Sequence, residues 1–595
     1  MKTITLSLLL LCAATLSAAT YHVDQNSTAA SDANAGTKDK PLKTISAGVA
    51  KVGAGDTVLV HPGVYRETVT LKASGAEGKP ITIEAAQKGT VTIRGSVPVK
   101  DWRPSEANKN IYVHEGWGKY FGKWDESLVK GGDQFKAKFG GPSAQTMAYN
   151  QVFVNDTLIR EVACPEKREA GTFYIDKEKK QIHLWLANDA DPNQCSVEVT
   201  DRSVLLDAVK VSHLQVKGLN FEYCANGMQQ AAVNFRGGAD NLIEDCVISR
   251  TAMVGLCMAG DNHLVRRCVM NHNGQQGFSS PGSENVLIED SETSYNNGIP
   301  WKRVNVGFQA GGFKVAVAHK VKFLRHKSVG NYGPGLWFDI SNDEMEVANC
   351  FVADNRAFGG VMNEISYRIH VHDSVFVNNK GGGVLIAESP GALVERNIMI
   401  GNEDGVNFRD MPRSTAKVSI IDGRAVKGEK TAIWNRDETV RNNVFVSNTR
   451  AQVNFGINGI NANRQVPKRL LGSKALVKSA ALTDETRLAQ EYMDKMAVSG
   501  QGPLYLELLN FVINGNVYGG GDNVPLMRWG TLLTYQNLAD LRAGAGFEKD
   551  GAVLDPQFAD WKNLDLRVPA DSPLLKMGCY PKGEVPGVKL GTIGR

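Results

Sequence analysis

Two acidic residues, Asp339 and Glu364, are spaced so that a repeating chain would bring them together. Each stands fourth after a glycine, Gly335 or Gly360, that opens a short apolar run. Side chains along a strand alternate between its two faces. The first and third positions of such runs hold Leu336 and Phe338, Val361 and Asn363, Val384 and Ile386, and Val406 and Phe408. These are nearly all apolar and are predicted to point inward, so the second and fourth positions point out. Parallel strands in register lie about 4.8 Å apart, which sets the two carboxyl groups roughly 5 Å apart. Double displacement at a glycosidic carbon asks for two carboxyl groups about 5–5.5 Å apart. Asp339 and Glu364 are therefore the predicted catalytic pair.

Like charges this close do not both ionise cheaply, so one proton is expected to reside on the pair at neutral pH. The same count from the glycine puts Ala231, Ala259, Pro281, Ala387 and Arg409 in the outward column, and Lys314 if Ala310 takes the glycine place. Lys314 would favour an ionised Asp339. Arg409 would hold a substrate hydroxyl or carboxylate, and Trp337 offers an apolar face for a sugar ring. These three are the predicted substrate-binding residues. Blander readings stay open. Stacked acids also form idle surface ladders or calcium sites, Lys314 and Arg409 serve as ordinary ion-pair partners, and Trp337 covers the wall. His272, His326, His370 and His372 read as surface or turn residues rather than ligands. Asn331, Asn355, Asn379 and Asn402 read as turn residues, since Asn tolerates left-handed backbone.

The elements that must position the pair come from a repeated phrase. It runs apolar-x-apolar, two polar residues, a small or polar residue, then apolar-x. Copies begin at Asn241, His263, Asn285, Met345, Ile369, Ala392 and Thr439. Each is followed by Asn, often by Gly, and by a second apolar run. Self-similarity at 22–25 residues with short β-rich runs and Asn/Gly turns predicts an all-β, right-handed parallel β-helix. The run from Pro41 to Val52 reads as a short amphipathic helix capping the solenoid end. Residues 101–200 break the rhythm, and the turn around Asp176–Lys179 between two strand-like runs predicts a small antiparallel insert. Residues 411–437 and 460–505 also break it, the latter with a helical stretch from Thr483. The expected organisation is 1–19 leader, 20–100 cap and first coils, 101–200 insert, 201–460 central coils with the site, 461–505 helical insertion and 506–595 final coils and tail.

Lys2, the apolar run Ile4–Leu11 and the small residues Ser17, Ala18 and Ala19 read as an export signal. A secreted or periplasmic protein is expected, without a membrane span, because the run is too short to cross a bilayer. Leu9–Leu11 before Cys12 lack the small residues of a lipid-attachment site. With 67 basic against 63 acidic residues, no concentrated positive charge argues for nucleic acid. Cys246 and Cys268 could bridge, but stacking as small buried residues in neighbouring coils is favoured. No CxxC pair offers a zinc site, and no cofactor is called for, calcium excepted. Oligomeric state is left undetermined.

The opening Tyr21–Val69 resembles the start of many bacterial β-helix carbohydrate-active enzymes. The stretch Asn331–Ser366, with Gly-Leu-Trp-Phe-Asp followed one coil later by a strand carrying Glu, is similar to the catalytic region of glycoside hydrolase family 120 β-xylosidases. The resemblance implies Asp339 as nucleophile, Glu364 as acid/base and a Lys on the preceding coil, here Lys314. It implies a secreted retaining glycosidase acting on oligo- or polysaccharide from plant or algal sources. Two other classes stay open. One is a calcium-dependent uronate lyase in which Lys314 abstracts a proton, Arg409 assists the leaving group and the acids hold calcium. The other is a non-catalytic β-helix binding protein.

Overall fold

Each copy of the repeated phrase is a bend between two strands. In Leu242–Glu244 and Val247–Ser249, for example, the chain turns at Asp245 (φ 56°). The equivalent residues Arg267, Asp290, Arg325, Asn349, Asp373, Arg396 and Asn442 all adopt the same left-handed backbone. A single residue in this region redirects the chain sharply, and polar residues tolerate it better than β-branched ones. In this computed structural model, residues 18–122, 148–410, 435–457, 510–520, 523–529 and 533–583 are described. Short strands at 413–414, 418–421, 424–427, 432–433, 471–472 and 504–505 are described as well.

The coils stack into three parallel sheets. The first contains strands such as Met345–Ala348 and Ile369–His372, and the third contains Phe351–Ala353 and Val375–Val377. The second carries the candidate site. Its central strands are β1 (Gln276–Ser279), β2 (Gly311–Val315), β3 (Leu336–Asp339), β4 (Val361–Glu364), β5 (Val384–Ala387) and β6 (Asp404–Asp410). All are paired parallel in chain order. Inward residues fill the interior, with Phe278 and Phe313 stacked at 5.3 Å and Phe313 edge-on to Phe323 at 4.7 Å.

The corners carry polar ladders. Asn331, Asn355, Asn379 and Asn402 are fully buried, contrary to the expectation that they fill left-handed turns. Along this ladder each Asn donates its backbone N–H and its Nδ2 to the Oδ1 of the Asn one coil later, as Asn331 does to Asn355 at 3.2 and 2.9 Å. The sequence separation of 23–24 residues is the coil period itself. A tight corner leaves backbone groups without sheet partners, and the Asn amides satisfy them. His326 also departs from expectation. It lies wholly inside the coil, bonded to Thr293 Oγ1 at 2.8 Å, in the column of Ser291 and Cys350. Cys246 and Cys268 are buried free thiols one coil apart.

The N-terminal cap is a helix of five residues, Ile45–Val49, shorter than the amphipathic run. Leu42 is drawn into a bridge with Val23, so the helix starts after it. Thr44 caps it, and the Glu67 carboxylate accepts from the N–H groups of Ile45 and Ser46, both at 2.8 Å. The insert leaves the third sheet after Arg94 and forms antiparallel pairings from Ser96 to Thr200, including the hairpin of Thr172–Asp176 with Gln181–Trp185. At the far end, a hairpin of Met527–Trp529 with Leu533–Tyr535 and a helix, Leu538–Ala545, cover the core with Leu541. Coils and a tail were expected there. Residues 1–17 of the leader, much of the break at 411–437, the helical stretch from Thr483 and most of 460–505 lie outside the described residues.

Candidate active site

Strand register brings the carboxyl pair together. Asp339 is the direct partner of Glu364, which pairs with Ala387, which pairs with Arg409. The four lie in one outward column. Lys314 does not share it. It pairs with Trp337, two residues earlier, because Gly312 and not Ala310 matches Gly335. Gly312 is held there by space, since a Cβ would lie 2.7 Å from Ser328 Oγ and 3.0 Å from the amide of Asn331. Ala231 likewise pairs with Val254 and leaves the column, while Arg236 pairs with Ala259.

The long lysine chain reaches the column anyway. Lys314 Nζ lies 2.8 Å from Asp339 Oδ2 and 3.4 Å from the centre of the Trp337 ring. Trp337 is 3 % exposed and packs with Met362, Leu385 and Phe358, so its face is not a free platform for a sugar. The expected stacking role is corrected to that of a donor: its indole N–H donates to Glu364 Oε2 at 3.1 Å. Arg409 donates to Glu364 Oε1 at 3.0 Å across the small Ala387. Cations and acids therefore pair along the wall as Lys314 with Asp339 and Glu364 with Arg409.

Asp339 is 8 % and Glu364 5 % exposed, so both carboxyl groups sit in a largely desolvated wall. Low local polarity strengthens every charge interaction made there. Asn342 Nδ2 donates to the Asp339 carbonyl at 2.9 Å and fixes the turn behind it. A cavity of about 200 Å³ adjoins Lys314 and is lined by Arg236, Gln276 and Gln309 among others. The Gln276 amide nitrogen is buried there with no partner among the described residues. Sequence reasoning missed Gln276 and Arg236, and the only available signal was a polar residue on an outward place of coils preceding Lys314. His319, one coil earlier, and Asp343 and Glu344 on the turn after β3 bring ligand-type atoms within 4.8 Å of one another, and Asp343 is engaged by Arg368 at 2.8 Å.

Known proteins resemble parts of this chain or its fold. A family model described as right handed beta helix region matches residues 209–399, and one described as chondroitinase B matches residues 40–118. Uncharacterized protein YwoF of Bacillus subtilis (strain 168) is 45% identical over 65 residues, which are 11% of this chain and 14% of that protein. The structure of XylC in complex with xylose superposes with a TM-score of 0.59 at 17% identity, covering 91% of this chain and 87% of that one. A PL6 family polysaccharide lyase from Pseudopedobacter saltans superposes with a TM-score of 0.44 at 11% identity, covering 91% and 95%. No helix among the described residues is long and apolar enough to cross a membrane. The parallel ladders and the match over the central coils together show a right-handed parallel β-helix.

Proposed function

We propose that this chain is a secreted retaining glycoside hydrolase acting on glycans derived from plant or algal polysaccharide, with β-xylosides as the first substrates to try. The observation that carries the reading is the direct register of Asp339 with Glu364 on adjacent strands. A strand spacing of about 4.8 Å matches the separation of about 5–5.5 Å used in double displacement. The xylose-bound XylC structure supports the choice of sugar.

In this reading Asp339 attacks the anomeric carbon while Glu364 passes a proton to the departing oxygen, leaving a glycosyl ester on Asp339. Glu364 then takes a proton from water, whose oxygen displaces Asp339. Lys314 holds the Asp339 carboxyl group in place. A sugar seated over Ala387 draws the Arg409 guanidinium from Glu364 to its own hydroxyls, freeing Glu364 to carry its proton.

A lyase reading asks Lys314 to be a free base, whereas it is ion-paired with Asp339. It also asks both acids to hold calcium, and each already has a cation beside it. Turnover of an aryl β-xyloside, with the anomer of the first product read by proton NMR, tests the proposal. Asp339→Asn and Glu364→Gln should each lower kcat by about 10²–10⁴ with the fold intact. Inverted product, full activity in either variant, or products with a new ultraviolet-absorbing double bond would reject it.

A further inference from the structure

A second cavity, of about 460 Å³, opens at the corner where the third sheet turns into the second, and neither Asp339 nor Glu364 lines it. One wall is a column of left-handed corner residues, Arg250 (φ 54°), His272 (φ 55°), Tyr295 (φ 57°) and Gly330 (φ 66°). This geometry throws successive side chains outward, one per coil. His272 and Tyr295 stack at 5.2 Å, and Tyr295 is 44 % exposed. The missing side chain at Gly330 makes room for that ring, since a Cβ there would lie 2.7 Å from two of its carbons. A bulky aromatic is an uncommon occupant of left-handed backbone, and such positions persist where the surroundings enforce them.

The opposite wall comes from the antiparallel insert and from the long corner before Gly311. Both leave the coil at this same corner, and they are tied to each other. The buried Lys302 Nζ lies 2.6 Å from Glu161 Oε2 and donates to the Asn150 carbonyl at 2.7 Å. Phe153 stacks on Tyr223 at 3.7 Å, and Tyr223 donates to Asp156 at 2.6 Å while accepting from Arg250 at 3.2 Å. Asn297 Nδ2 donates to the carbonyls of Val304 and Tyr332, at 2.7 and 2.8 Å. The cavity is therefore held open in advance of any ligand.

Its lining pairs aromatic faces with guanidinium groups. Arg250, Arg303 and Arg356 face one acid, Asp156. Arg303 lies 3.7 Å above the Tyr332 ring, and Arg356 has no ion-pair partner among the described residues. An aromatic face receives the C–H side of a sugar ring, and a planar guanidinium forks onto a carboxylate or sulfate. We propose that this cavity is a separate binding site for a pyranose bearing an anionic group, a uronate or a sulfated sugar. The site stands whether or not the acid pair hydrolyses glycosides.

Titration calorimetry on the full chain carrying Asp339→Asn removes turnover from the measurement, while hydrolysis is read on the native chain, so the two proposals fail separately. Glucuronate, glucose 6-sulfate and glucose are the probes. At least one anionic sugar should bind about tenfold more tightly than glucose, and which one does names the substituent. Added salt should weaken it, and Arg356→Ala or Tyr295→Ala should weaken it by about tenfold with an unchanged circular dichroism spectrum. Salt dependence on the unsubstituted cavity keeps the test open should a variant fail to fold. Equal binding of glucose and both anions, salt-independent binding, or undiminished binding in folded variants would overturn the assignment.

Discussion

The Arg409 guanidinium crosses a whole coil to reach Glu364, with 3.0 Å between donor and Oε1. It does so because the intervening residue of the column is Ala387, whose methyl group leaves the path clear. Arg409→Met should lower kcat/KM by about 10–100-fold, the worth of one charge-assisted hydrogen bond to the sugar. Steady-state kinetics on an aryl glycoside checks this. Ala387→Leu should do comparable damage by filling the gap, and full activity in both variants would contradict a sugar seated there.

Lys314 and Asp339 are a nearly buried ion pair, and such pairs are sensitive to losing one member. Lys314→Met should loosen the central coils by about 3–5 kcal/mol, since it strands a carboxylate in a desolvated wall. Hydrogen exchange of amides in β2 to β4 reads the effect locally. The double variant Lys314→Met with Asp339→Leu should recover most of that loss. A double variant no more stable than the single would show that packing, not charge, governs the site.

Two buried asparagines should respond in opposite directions to the same substitution. Asn355→Leu removes the acceptor of two ladder bonds, those from the backbone and amide of Asn331, and the donor to the Ser328 carbonyl at 3.0 Å. Stranding these groups should cost about 1–3 kcal/mol each. Asn363 is inward between Phe338 and Ile386, and neither its oxygen nor its nitrogen has a partner among the described residues. Asn363→Leu should therefore raise the thermal midpoint while Asn355→Leu lowers it. A fall in both would mean that Asn363 is satisfied within the core.

Burial lowers the His326 ring from its ordinary 6.5 to about 3. The folded protein keeps the ring neutral while the unfolded chain takes up a proton near pH 6.5. Stability is thus unaffected by this group above that pH and is lost as pH falls from 6.5 towards 3, by about 1.4 kcal/mol per pH unit. His263, lowered to about 4 by burial, adds a loss of the same sign. Urea midpoints at pH 7, 6 and 5 should fall in the native chain and fall less steeply in His326→Asn. Parallel slopes would place the acid sensitivity elsewhere.

How much was legible in the sequence differs between neighbouring residues. The pairing of Asp339 with Glu364, and of Ala387 with Arg409, followed from counting residues after a glycine, because those coils are regular. Lys314 broke the count. Its coil carries a long corner, and only packing against Ser328 and Asn331 shows which residue takes the glycine place. The Asn ladder was rightly expected at corners but with left-handed backbone, for a related reason. Composition tells that Asn belongs at a corner, and only the stacked neighbour tells that its amide points inward to serve the backbone.

The period, the alternation of inward and outward residues and the acid pair could all be read from the chain as a string of residues, because they are local properties that repeat along it. Three outcomes could not: which cation meets which acid, that Trp337 donates to Glu364 instead of presenting its face, and that the insert and a corner column enclose a cavity. These depend on side chains and segments far apart in sequence, whose approach is fixed by the stacking of coils and not by any local pattern.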